Sequence, residues 1–193
     1  MTAGRISVTK KKDWGTPIKY VNAVKKVFKQ GVFLDPCSNR FSIVKAKTEF
    51  ILPTRDGLKE EWNYPTIYVN PPYGKDAARG TTIKNWLIKC VQAHEDYHSE
   101  VLALIPVAVN TLHWKKCVFI KARAVCFLYD TRLKFLEDGL DTGKGAPMAC
   151  AMVYWGSNYK TFFKVFINHG AVIDLSNLKE ESIGETRKFM KII

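Results

Sequence analysis

The densest chemistry in this 193-residue chain lies in Asn70-Pro71-Pro72-Tyr73. Two consecutive prolines fit neither a helix interior nor a central strand, so the apolar run Thr66-Ile67-Tyr68-Val69 before them must end at Asn70. A residue that precedes proline is pushed toward extended backbone, which stiffens Asn70 and Pro71 alike. Open α/β sheets hold their ligands at such turns, at the carboxyl ends of buried strands. This turn offers the side-chain oxygen of Asn70, the backbone carbonyl of Pro71 and the aromatic face of Tyr73. Two acceptors and a stacking face suit a flat ring bearing an exocyclic amine.

A second strand end carries charge. Val32-Phe33-Leu34 runs into Asp35-Pro36-Cys37-Ser38-Asn39, where proline again halts the strand and leaves a carboxylate for a cofactor amine or hydroxyl. An Asp-Pro pair is more often an ordinary turn. Arg55-Asp56-Gly57-Leu58, followed by Trp62, also reads as a turn, with a carboxylate able to meet a ligand. His94-Glu95-Asp96-Tyr97-His98 matches the H-E-x-x-H zinc pattern, but a catalytic zinc needs a third protein ligand. The later histidines, His113 and His169, have no matching spacing, so no metal is expected. A G-x-S-x-G elbow and a phosphate-cradling G-x-x-x-x-G-K are both missing.

Helices and strands must position these turns. After a basic arm over residues 1–12, Thr16-Pro17 reads as an N-cap followed by proline at the first helical position. Tyr20, Val21, Val24, Val27 and Phe28 recur at helical spacing, predicting an amphipathic helix that ends near Gly31. A strand is expected around residues 49–52. Residues 73–82, flanked by glycine and rich in charge, read as a mobile loop able to close over a substrate. Ile83, Trp86, Leu87, Cys90, Val91 and His94 predict the next helix. Strands follow over residues 101–106 and 122–129, and Thr111 opens a short helix between them. Residues 137–147 read as a loop, residues 148–154 as an antiparallel return strand, residues 159–166 as a helix and residues 171–175 as a last strand. The tail 177–193 is charged. Strands alternating with helices predict one α/β domain, a doubly wound, mostly parallel sheet with one antiparallel strand near the C-terminus.

Composition sets the partner class. Thirty Lys and Arg against 18 Asp and Glu leave a formal charge of +12, spread along the chain, which favours a polyanion such as nucleic acid. No apolar run approaches a membrane span, and the start lacks a signal-peptide core, so a cytoplasmic protein is expected. Five cysteines without a C-x-x-C pair read as small buried apolar residues.

Taken together and in this order, Trp14-Gly15-Thr16-Pro17, Phe33-Leu34-Asp35-Pro36, Asp56-Gly57-Leu58 with Trp62, Val69-Asn70-Pro71-Pro72-Tyr73, Leu104-Ile105-Pro106 and Arg132-Leu133-Lys134-Phe135 resemble the phage-type DNA N6-adenine methyltransferases. The resemblance covers most of the chain and implies a Rossmann-like methyltransferase fold that depends on S-adenosylmethionine. It implies that Trp14, Thr16, Pro17, Asp35, Pro36 and Asn70 hold the cofactor, with Asp56 or Leu58 bordering its adenine. Asn70, Pro71, Pro72 and Tyr73 would be catalytic and would take an adenine flipped out of double-stranded DNA. Lys75 and Arg79 are then expected on phosphates, and Arg132 and Lys134 at the DNA sequence. One departure is that residues 36–41 lack the glycines that often wrap the cofactor in this family. Enzymes that methylate RNA bases or a protein glutamine share the Asn-Pro-Pro-Tyr turn, and a non-catalytic DNA-binding module is the rival outside enzymology.

Overall fold

The computed structural model describes residues 14–130, 132–143 and 145–178; the basic arm and the tail beyond residue 178 lie outside these. Its strands are β1 (Trp14–Gly15), β2 (Leu34–Asp35), β3 (Thr48–Glu49), β4 (Thr66–Val69), β5 (Glu100–Pro106), β6 (Ala124–Leu128), β7 (Leu136–Glu137), β8 (Leu140–Asp141), β9 (Cys150–Trp155) and β10 (Gly170–Asp174). Its α-helices are α1 (Ile18–Val27), α2 (Ile83–Tyr97) and α3 (Tyr159–Phe166), with a π-helical segment at Trp114–Phe119.

Seven strands form the main sheet in the order β10-β6-β9-β5-β4-β2-β3. Pairing is parallel from β3 through β2 and β4 to β5, whereas β9 runs antiparallel between β5 and β6. The return strand predicted near residue 150 is thus β9, inserted inside the sheet. A second antiparallel strand, β10, pairs with β6 and was not expected. Five strands point one way, and the sheet is mixed.

The central strands are apolar on both sides because both faces are covered. Ile67, Val69, Val101 and Ala103 pack with Trp86, Leu87 and Cys90 of α2 and with Trp114 and Val118 of the π-helical segment. Tyr68, Leu102 and Leu104 pack on the opposite side with Tyr20, Val21 and Val24 of α1 and with Phe162 and Phe166 of α3. Period-two alternation in β4 and β5 divides the two cores. Cys90, Cys117, Cys126 and Cys150 are buried and Cys37 half-buried. Among the described residues, no helix is long and apolar enough to cross a membrane.

Several local expectations change. The first helix stops at Val27, with Phe28 as its C-cap, and Gly31 takes up a positive φ of 92° in the turn that follows. Thr16 caps nothing: Pro17 is the N-cap, and the Thr16 hydroxyl bonds to the Tyr68 hydroxyl at 2.7 Å. The strand expected over residues 49–52 shrinks to β3, whose continuation breaks at a turn before Pro53. The loop expected at residues 137–147 contains a hairpin. Asp138 and Gly139 have φ of 52° and 82°, the two left-handed positions of a type I′ turn, joining β7 to β8. β1 adds to β7, making a second, three-stranded sheet. Nor is the loop after Tyr73 loose, since Asp76 and Thr81 bridge and the Asp76 carboxylate accepts from the Ala78 and Arg79 amides.

Candidate active site

Register assembles the chemistry. Leu34 lies opposite Ile67, which puts Asp35 one step short of the β4 end and brings residue 37 level with Asn70. Asp35 in turn lies opposite Glu49. Three adjacent parallel strands therefore present Glu49, Asp35 and Asn70 along one carboxyl edge. The chain passes from β2 outward to β3 and then back across to β4, so the gap between β2 and β4 is a topological switch point.

Asp35 is 5% exposed, and its carboxyl accepts the Cys37 amide at 3.1 Å. Desolvation pushes its pKa up to about 7; neighbouring Glu49 adds to the rise and the Cys37 amide opposes it. The Ser38 hydroxyl and the Glu49 Oε1 atom are buried without a hydrogen-bond partner. Buried polar atoms rarely stay orphaned. One donor-acceptor and two carboxylates around the switch point fit a ligand that carries hydroxyls and a positive charge, as S-adenosylmethionine does.

Asn70 stands on the other side of the gap. Its Nδ2 donates to the Trp14 carbonyl at 3.1 Å, which leaves the Oδ1 lone pairs as the acceptor side of the amide. Trp14 is held in β1 and stacks on Phe135 at 5.2 Å and 19°, while Tyr73 meets Phe135 edge-on at 5.7 Å. The Tyr73 hydroxyl donates to the Leu104 carbonyl at 3.1 Å, and desolvation keeps that phenol protonated well past its ordinary range. Pro71 is buried and Pro72 exposed. Thr16 and Pro17 lie just before α1, with the Pro17 carbonyl accepting from the Tyr20 and Val21 amides.

Asp56 and Leu58 line a neighbouring cleft of about 590 Å³ together with Arg79, Asn85, Ile88 and Lys89. Asp56 accepts from the Leu58 amide and from the Arg79 guanidinium at 3.0 Å; the same guanidinium reaches Asp76 at 3.0 Å. Arg79 thereby pins the segment after Tyr73 to the turn at residues 55–58. Gly57 presses on the Pro36 backbone so closely that any Cβ would collide with the Pro36 carbonyl. The Trp62 indole closes this turn by donating to the Gly57 carbonyl at 2.7 Å.

Lys75 is exposed on the loop after Tyr73. Arg132 and Lys134 are exposed and alternate with buried Leu133 and Phe135, so both cations point away from the domain. The H-E-x-x-H match is accounted for otherwise: the His94 ring bonds the Ser99 carbonyl, Glu95 pairs with Lys121, and His98 is the left-handed C-cap of α2. Among the described residues, no group of three His, Cys, Asp or Glu side chains is placed to hold a metal. Sequence reasoning passed over Glu49 and Ser38. The signal for Glu49 was an acidic residue ending the next strand candidate after Asp35, which is how parallel neighbours present paired carboxylates.

A mixed sheet with helices on both faces, an acidic strand end and an Asn-Pro-Pro-Tyr turn at its switch point place the chain among α/β proteins compatible with a methyltransferase fold. The model of the DNA N-6-adenine-methyltransferase (Dam) family matches residues 4–182, and the chain belongs to that family. Its class is therefore that of enzymes that methylate adenine N6 in DNA. No curated protein matches the chain in a direct comparison.

Proposed function

We propose that the chain transfers a methyl group from S-adenosylmethionine to the N6 amine of an adenine flipped out of double-stranded DNA. The observation that carries this reading is the Asn70 amide, tied through Nδ2 to the Trp14 carbonyl with Oδ1 left for a ligand, one strand from the desolvated Asp35 carboxylate. The strand order and the helices on both faces support a doubly wound, Rossmann-like arrangement.

Asp35 would take the cationic amino end of the cofactor, and Glu49 and Ser38 its hydroxyls, since these atoms lack other partners. Trp14, Thr16, Pro17 and Pro36 would form the wall around it, with Asp56 and Leu58 at its adenine. When bound, S-adenosylmethionine supplies an electrophilic methyl group on a positively charged sulfur. Asn70 Oδ1 and the Pro71 carbonyl accept the two N6 hydrogens and so aim the nitrogen lone pair, which is otherwise delocalised into the ring. Tyr73 and Pro72 stack on the base. Asn70 cannot ionise and is no general base; it orients the amine, and the methylated nitrogen releases its proton to water. Orientation and fixed dipoles supply the acceleration. N6 lies inside the base-paired stack, so the base must leave it, and Lys75, Arg132 and Lys134 are the exposed cations offered to the backbone and grooves.

The test is transfer of labelled methyl from the cofactor to DNA, RNA or protein, followed by digestion. Label in N6-methyladenine of duplex DNA is expected. Label in N4-methylcytosine, in RNA alone or in glutamine would overturn the reading, and no cofactor binding at millimolar concentration would reduce the chain to a DNA-binding module.

A further inference from the structure

Away from the switch point, α1 and α3 lie side by side over the sheet and enclose an open cleft of about 690 Å³. Lys26, Lys29, Lys160 and Lys164 line it, together with Asn168 and His169. All four lysines are exposed. Residues 18–30 and 159–169 contain no Asp or Glu at all. Several cations elsewhere do have acidic partners: Lys121 pairs with Glu95, Arg55 with Glu60, and Arg123 with Asp174. Among the described residues, none of these four lysines has an ion-pair partner. The positive field is felt at His169, whose pKa is lowered by desolvation and then by Lys19 and Lys26.

A solvated helix pair on a domain of ordinary purpose mixes both signs for solubility. Four unmatched ammonium groups around a concave strip instead fit a row of phosphates, and the flexible lysine stems fit contacts that need no base sequence. α1 begins at the switch-point wall and carries its lysines about 15 Å from it by helical rise, roughly four base-pair steps of duplex DNA.

We propose that the α1–α3 cleft is a second, sequence-independent contact for the phosphate backbone of DNA, separate from the mouth that holds the target base. It holds the enzyme on the duplex outside the target site. The proposal relies on the family's action on DNA and adds a surface that methyl transfer itself does not use.

The test replaces Lys26, Lys29, Lys160 and Lys164 by Gln in the full chain. Fluorescence anisotropy with a target-free duplex of about three helical turns, read across a salt series, is expected to show the slope of log affinity against log salt reduced by about 3 to 4. At saturating target duplex, kcat and cofactor affinity should stay within about twofold, which keeps the methyl-transfer reading a separate question. The matching Lys→Arg set keeps the charge and should keep the parental slope. An unchanged slope in the Gln set overturns the proposal. So does a slope lost in both sets, which would point to packing, or binding lost for RNA of equal length while DNA binding persists.

Discussion

Asn70 is fixed by one end of its amide. With Nδ2 on the Trp14 carbonyl and two prolines after it, the side chain loses much of its freedom. Replacing it by Ala removes the acceptor that the proposed reaction places on the reacting amine. Asn70→Ala is expected to lower kcat by about 10² or more while cofactor affinity changes only a few-fold, as calorimetry and single-turnover rates would report. Equal loss of both would make Asn70 a cofactor ligand only. Asp35 gives a pH prediction. Its carboxyl ionises near 3.8 when exposed and near 7 in the fold, so between these values the native state holds the extra proton. Stability therefore falls as pH rises through that window, by roughly 4 kcal/mol in the ligand-free protein. Thermal unfolding should show this slope and Asp35→Asn should lack it. Cofactor affinity runs the other way, tightening between about pH 6 and 8 as the carboxylate forms to meet a cation. A parental affinity that is flat over this range would sink the assignment.

At the scale of elements, the site is held by loops that brace one another. The Gly57 backbone rests against Pro36, Trp62 clamps Gly57, and Arg79 ties Asp56 to the segment after Tyr73. Gly57→Ala inserts a methyl group where the Pro36 carbonyl stands, so the loop bearing Asp35, Cys37 and Ser38 must move. Overpacking of this kind costs about 1–3 kcal/mol, and if it falls on the loop the cofactor binds roughly tenfold or more weakly. Calorimetry that finds parental affinity would show that the loop yields without disturbing Asp35. The hairpin from β7 to β8 was legible in principle, because Asp138-Gly139 is a type I′ pair. It was missed because each arm is only two residues long, too short for alternation to register. Trp14 shows the converse: its role as the carbonyl that holds Asn70 depends on β1 joining β7, a pairing across more than a hundred residues.

At the scale of the molecule, charge governs encounter and the sheet governs chemistry. With a formal charge of +12, DNA binding should weaken by about 10³ or more between roughly 50 and 200 mM salt, while cofactor affinity, which displaces few counterions, stays within a few-fold. Parallel titrations of both ligands check this, and an equal salt dependence would contradict it. The sequence by itself determined that strands end at Asp35 and Asn70, because proline forbids continuation there whatever surrounds it. A continuous apolar run likewise marked β5, helical spacing marked α1 and α2, and composition marked the polyanion. Only the tertiary structure decided which strands are neighbours, and with that everything set by register: Glu49 beside Asp35, Arg79 drawn onto Asp56, β9 inserted before β6, and two lysine-bearing helices brought together from opposite ends of the chain. Local preferences act over a few residues, whereas these contacts join residues whose proximity exists only once both faces of the sheet are buried.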